Sequence, residues 1–277
     1  MEKIIHKENL QLIMVDTNQR KSIGDSLSQL IEIVEKLRAP GGCPWDKEQT
    51  HDSLLPYLLE EVYEVIESIE EEDLELLKEE LGDLLLHVVF QASISKENGD
   101  FSLIDSLEHV NEKLVRRHPH VFGDQGADGP FHAKQNWEAA KHEEKKRNSR
   151  LDGIPKTLPA LTKSQRLQEK ASYTGFDWDK IDQVWEKVHE EIQELKEAEK
   201  SGIKRHIEEE IGDVLFSIVN LSRFLGISAE VALRKSNKKF TSRFKALERE
   251  FKKRGNKMED SNLKEMDKIW NTLKKQS

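Results

Sequence analysis

EEVYEVIESIEEEDLELLKEELGDLLLHVVF (60–90) and EEIQELKEAEKSGIKRHIEEEIGDVLFSIVN (190–220) are the two stretches that decide the fold. Each carries Glu-Glu-x-x-Glu followed by Glu-x-x-Asp: Glu60, Glu61 and Glu64 precede Glu80 and Asp83, and Glu190, Glu191 and Glu194 precede Glu210 and Asp213. Glu61 to Glu80 is 19 residues, and so is Glu191 to Glu210. Residues three apart share one helix face, so each acid pair projects together from its own helix. On the helix that carries Glu80 and Asp83, the apolar stripe is Leu77, Leu81, Leu84, Leu85 and Val88. The two acids border that stripe rather than oppose it.

Working outward, the repeat extends over most of the chain. Asn111, Lys113, Leu114 and Arg117 match Asn237, Lys239, Phe240 and Arg243, and each half has a later Trp, at 137 and 270. Upstream, Pro44-Trp45-Asp46-Lys47 resembles Asp177-Trp178-Asp179-Lys180. Apolar residues at helical spacing predict helices near 24–39, 51–69, 74–97, 103–117 and 134–147, then near 163–173, 180–200, 203–225, 228–252 and 259–275. The expected class is all-α, with two repeated helical-bundle domains. The expected boundaries are an N-terminal extension over 1–22, a first domain over 23–147, a linker over 148–162 containing Pro155 and Pro159, and a second domain over 163–277.

The 277 residues include 44 Lys+Arg against 53 Asp+Glu, a net charge of −9, with only 14 Gly, 7 Pro and 3 Tyr. That balance argues against a β-rich fold and against broad nucleic-acid binding, which depends on cations meeting phosphates. Cys43 is the only cysteine, so no intrachain disulfide or thiolate zinc cluster can form. The N-terminus has no apolar core of signal-peptide type, and nothing reaches the roughly 20 apolar residues of a membrane span. A cytoplasmic location without membrane partners is the expectation.

An antiparallel pair of the two acid-bearing helices would bring four carboxylates together, a costly arrangement without a cation. All-oxygen ligation favours Mg2+, with Mn2+ as a substitute, over zinc or copper. A di-iron carboxylate bundle would need Glu-x-x-His, but Asp83 and Asp213 stand where the histidines would be. Basic residues surround the second set: Lys187, Lys204, Arg205 and His206, then Lys239 and Arg243 four apart on a later helix. Such cations can hold a polyphosphate, and Trp270 can stack on a base or serve as core. Residues 70–80 carry seven acids and one Lys, and Tyr57 stands in the place of Lys187, so the second half is expected to be the main catalytic one.

Taken with GGCPWDKEQT (41–50), RRHPHVF (116–122) and GFDWD (175–179), these acid sets resemble the tandem-domain MazG nucleoside triphosphate pyrophosphohydrolases over about residues 24–275. The resemblance implies a homodimer and Mg2+-dependent hydrolysis of nucleoside triphosphates to monophosphate and pyrophosphate. By motif position it implies Glu191, Glu194, Glu210 and Asp213 as metal ligands, with Glu61, Glu64, Glu80 and Asp83 as a first-half set. It also implies Lys187, His206, Lys239, Arg243 and Trp270 as nucleotide contacts, His206 standing where the family has Lys. Glu190, the acid not needed as a ligand, is the candidate to orient or deprotonate water that attacks the α-phosphorus. A nucleotide-sensing protein that binds without turnover is the alternative.

Overall fold

The computed structural model describes residues 17–124, 126–255, 257–258 and 261–274, and among them every regular element is a helix. The chain divides into two compact units after Trp137. In the first unit are α1 (Thr17–Arg38), α2 (Pro44–Glu48), α3 (Leu55–Glu71), α4 (Leu74–Asn98), α5 (Leu103–Arg117) and α6 (Pro119–Phe122). The division falls within α7 (Gly129–Glu144), and the second unit continues with α8 (Ala160–Ser172), α9 (Ile181–Ser201), α10 (Lys204–Phe224), α11 (Ala229–Lys253) and α12 (Leu263–Lys274).

Each unit is organised on one tight helical hairpin, α3–α4 or α9–α10. A residue of the second hairpin is numbered 130 above its counterpart in the first: 61 and 191, 80 and 210. Even the turns correspond. Glu72 sits at φ 58° and Gly202 at φ 67°, the left-handed conformation that ends a helix. Asp73 then opens α4 by accepting from the backbone N–H groups of Glu75 and Leu76 at 3.1 and 3.0 Å.

In the first unit, Val34, Leu54, Val89, Phe90 and Ile94 form the core. α1 ends where Gly42 comes so close to its last turn that a Cβ there would meet Leu37 O at 2.2 Å. Arg38 fastens the segment that follows: its guanidinium donates to both Glu97 carboxylate oxygens at 2.8 Å and to the carbonyl of Asp46 at 2.6 Å. Much of GGCPWDKEQT is therefore a strap held onto α4. In the second unit, Val184, Val188 and Leu221 join α9 to α10, while Leu247, Phe251 and Ile269 join α11 to α12.

Two boundaries differ from the sequence expectation. α1 begins at Thr17, so residues 17–22 are helical rather than part of an extension; the remainder of that extension, 1–16, lies outside the described residues. The units part after Trp137 rather than across 148–162. The reason is a charge network: Glu138 pairs with Arg166 at 3.2 Å and with the buried Lys170 at 3.3 Å. Lys170 also donates to the carbonyls of Arg150 and Asp152, each at 3.2 Å, so the Pro-containing stretch folds back onto α8.

Removing the carboxylate of Glu138 leaves Lys170 buried without its counter-ion. Glu138→Ala should lower the unfolding free energy of the second unit by about 3 kcal/mol, read from urea denaturation. A loss below about 1 kcal/mol would show that the network does not define the boundary.

Candidate metal centre and its cavity

The α3–α4 hairpin brings Glu61, Glu64 and Glu80 together, with one oxygen from each within 4.8 Å of the others. The α9–α10 hairpin does the same with Glu191, Glu194 and Glu210. The fourth acid of each set stands apart from these triads. Asp83 and Asp213 lie one turn beyond Glu80 and Glu210, on side chains shorter by a methylene. Asp83 is still close enough to act on Glu61, Glu80 and His87 electrostatically. Three convergent carboxylates with a fourth nearby form an all-oxygen donor set that suits a hard divalent cation.

The two clusters answer their own repulsion differently. In the first, burial together with Asp83, Glu64 and Glu80 pushes Glu61 up to about 7 from an ordinary 4.5. Glu80 is raised for the same reasons, burial first and Glu64 and Asp83 after it. The nearest imidazole, His87, has Nε2 at 3.9 Å from Glu61, but burial lowers its own pKa and so disfavours its cationic form. In the second cluster Lys187 is the internal counter-ion, with Nζ at 2.7 Å from both Glu190 and Glu191. Those two hydrogen bonds, Glu190 first, raise the lysine far above its usual value. Glu194 is raised by burial and by Glu191, an effect that Lys187 partly offsets.

Lys187, Glu191 and Asp213 open onto a cavity of about 560 Å3 whose other walls include Phe176, Trp178 and Phe216. Arg223 and Asp177 also line it, the guanidinium donating to the carboxylate at 2.9 Å. A cavity lined by Glu191 and Asp213, by a lysine and by aromatic rings suits a phosphorylated molecule with a planar ring.

The residues 49–122 and 180–247 each match the MazG nucleotide pyrophosphohydrolase domain. The chain belongs to the MazG family. It is 49% identical over 92% of its length to the nucleoside triphosphate pyrophosphohydrolase/pyrophosphatase MazG of Thermotoga maritima, covering 98% of that protein. It is 43% identical over 91% of its length to the nucleoside triphosphate pyrophosphohydrolase of Escherichia coli K12, again covering 98%. A Mycobacterium tuberculosis protein of the same name is 38% identical over 60% of this chain and half of its own length.

Within that family frame, the other expected site residues scatter. Glu190 is exposed and engaged by Lys187. His206 is exposed in the first turn of α10, one turn before Glu210. Lys239 and Arg243 lie on α11, which packs against α8, α10 and α12, and neither lines the 560 Å3 cavity. Trp270 is half-buried on α12, with its ring 5.4 Å from Phe240 and its body against the Leu247, Phe251 and Ile269 cluster, so it is core on at least one side. The sequence reading quoted GFDWD but assigned it no role. Asp177 and Trp178 of that motif line the cavity, and the match of Trp178 to Trp45 was the signal that could have drawn attention to them.

The raised Glu61 fixes the sign of a pH effect. Between about 4.5 and 7 the folded chain holds a proton that the unfolded chain has released, so stability falls as pH rises through that window and stays lower above it. Melting temperatures in EDTA should therefore drop between about pH 5 and pH 7.5, Mg2+ should restore more of the loss at the higher pH, and Glu61→Gln should flatten the profile. A melting temperature that rises with pH over this range in EDTA would contradict the assignment.

Proposed function

We propose that this chain is a Mg2+-dependent nucleoside triphosphate pyrophosphohydrolase, working as a homodimer, with its main site in the second unit. The repeated carboxylate triad, backed in one copy by Lys187 and an aromatic-walled cavity, is the observation that carries the reading. Membership of the MazG family and the activity for which its relatives are named support it. Glu191, Glu194, Glu210 and Asp213 would hold the ion in the second unit, and Glu61, Glu64, Glu80 and Asp83 in the first. Bound there, Mg2+, or Mn2+ in its stead, supplies neutralisation of triphosphate charge and a more acidic water.

The residues of the chain do the rest. Lys187, now bonded to Glu190 and Glu191, would turn to meet a phosphate oxygen of the substrate. Glu190, on the same helix, would accept a proton from water attacking the α-phosphorus. Phe176, Trp178 and Phe216 exclude solvent around the nucleoside. The first unit has Tyr57 where Lys187 would be and seven acids over 70–80, which disfavours a triphosphate.

The dimer rests on a second repeated feature. Leu81, Leu85 and Val88 on α4, and Ile211, Leu215 and Ile218 on α10, are 40–53% exposed at matching positions. Apolar rows of that kind are covered in a stable oligomer. A second copy would also bring another α11, and with it Lys239 and Arg243, which do not line the cavity of their own chain. Those two cations would then hold the departing pyrophosphate, and His206 the nucleotide at the mouth of α10.

Glu191→Gln or Asp213→Asn should reduce turnover at least about a hundredfold, whereas Asp83→Asn should cost less than about tenfold. Products from ATP should be AMP and pyrophosphate, with 18O from labelled water found in AMP. ADP and orthophosphate as initial products would overturn the assignment of the cleaved bond, and nucleotide binding without multiple-turnover pyrophosphate release would favour the sensing alternative.

The origin of Lys239 and Arg243 has its own measurement. Glu191→Gln and Lys239→Ala proteins, each inactive alone, should regain activity when unfolded and refolded together, because one mixed site then holds a full set. No recovery from a mixture shown to be dimeric would mean that both residues serve the site of their own chain, or none.

A further inference from the structure

The first unit holds a second cavity, of about 360 Å3, lined by His118, His120, Pro130, Ala133, Lys134 and Trp137. None of the acids of α3 or α4 contributes to it. We infer that this cavity binds the phosphate group of a nucleoside monophosphate, independently of metal and of the carboxylate cluster.

Charge is the first argument. Among the described residues no carboxylate lines the cavity and none is paired with Lys134. Its ammonium instead lies 4.9 Å from the centroid of the Trp137 ring, and the buried Arg117 guanidinium lies 5.3 Å from the same centroid. Asp128, the acid at the entry to α7, is turned to His132, which does not line the cavity. In a protein of net charge −9, a recess walled only by cationic, imidazole and apolar groups is selective for an anion.

Unused hydrogen-bonding capacity is the second. His118 is held with Nδ1 at 2.7 Å from the carbonyl of Leu114, so that nitrogen is the donor and Nε2 is left as an acceptor for a ligand hydroxyl. The His120 ring stacks obliquely at 5.6 Å from His118, and its Nδ1 is buried without a hydrogen-bond partner among the described residues. Buried polar atoms are rarely left so without a reason. Pro130, Ala133, Lys134 and Trp137 share one face of the 16-residue α7, which forms that side of the cavity.

The third is shape. Trp137, Pro130 and Ala133 give one wall an apolar face for a ring, and 360 Å3 lies near the lower end of the about 300–1,000 Å3 typical of small-ligand sites. That room suits a nucleoside with one phosphate better than a triphosphate with its metal. RRHPHVF, which the carboxylate chemistry does not employ, thereby acquires a role.

The test is equilibrium dialysis of the full chain carrying Glu191→Gln, in EDTA, with labelled AMP as probe and inorganic phosphate as its comparison. Saturable binding of one AMP per chain is expected, weakened at least about tenfold by Lys134→Ala, with inorganic phosphate at least about tenfold weaker than AMP. In the protein without Glu191→Gln, Lys134→Ala should leave pyrophosphate release with Mg2+ unchanged. Because Lys134 is exposed, the variant is expected to fold, and an unaltered melting temperature verifies this. Absence of saturable AMP binding, equal affinity for phosphate, or AMP affinity unchanged in both Lys134→Ala and His120→Ala would overturn the proposal.

Discussion

Mutual repulsion among three carboxylates within 4.8 Å is the constraint on which the rest of the molecule depends. Such groups separate into water unless something holds them, and here the holding is done by a hairpin on each side. The left-handed turn at Glu72 or Gly202 sets the register of the two helices, and the core residues on their opposite flanks keep that register. The acid pairs are consequences of helix period, and their convergence is a consequence of the turn. What remains is an electrostatic deficit that only a cation or a proton can fill.

The two copies fill it by different means. In the first the answer is protonation, because Glu61 carries the combined effect of burial and three other acids. In the second it is an ammonium supplied one turn earlier on the same helix, at position 187, where the first copy has Tyr57. The change at this position sets a cluster with a raised carboxyl pKa beside one with a resident cation. The same division runs outward into the surroundings: a long acidic run beside the first hairpin, Lys and Arg beside the second.

What was legible in the sequence was what is local. Helix positions, the all-α class and the grouping of Glu61, Glu64 and Glu80 all follow from period 3.6 and from a 19-residue separation across one turn. Three things were not. The boundary after Trp137 depends on Glu138 reaching Lys170, a contact across 32 residues with no periodic signature. The position of α11 relative to the carboxylates depends on how whole helices pack, so Lys239 and Arg243 could be assigned to a helix face but not to a cavity. Trp270 was readable either as stacking surface or as core, and only its contact with Phe240 decides that one side of it is core.

The hairpin arrangement also bears on how the chain acquires its structure. The acids of one set lie within 23 residues of sequence, from Glu61 to Asp83, so their meeting requires only the closure of a short loop. Contacts of such low sequence separation form early, before α1 or α11 can dock. The repulsion is therefore met as soon as a hairpin closes. Lys187 offsets part of it from within the second hairpin, whereas the first has Tyr57 at that position and leans on a proton or an ion instead.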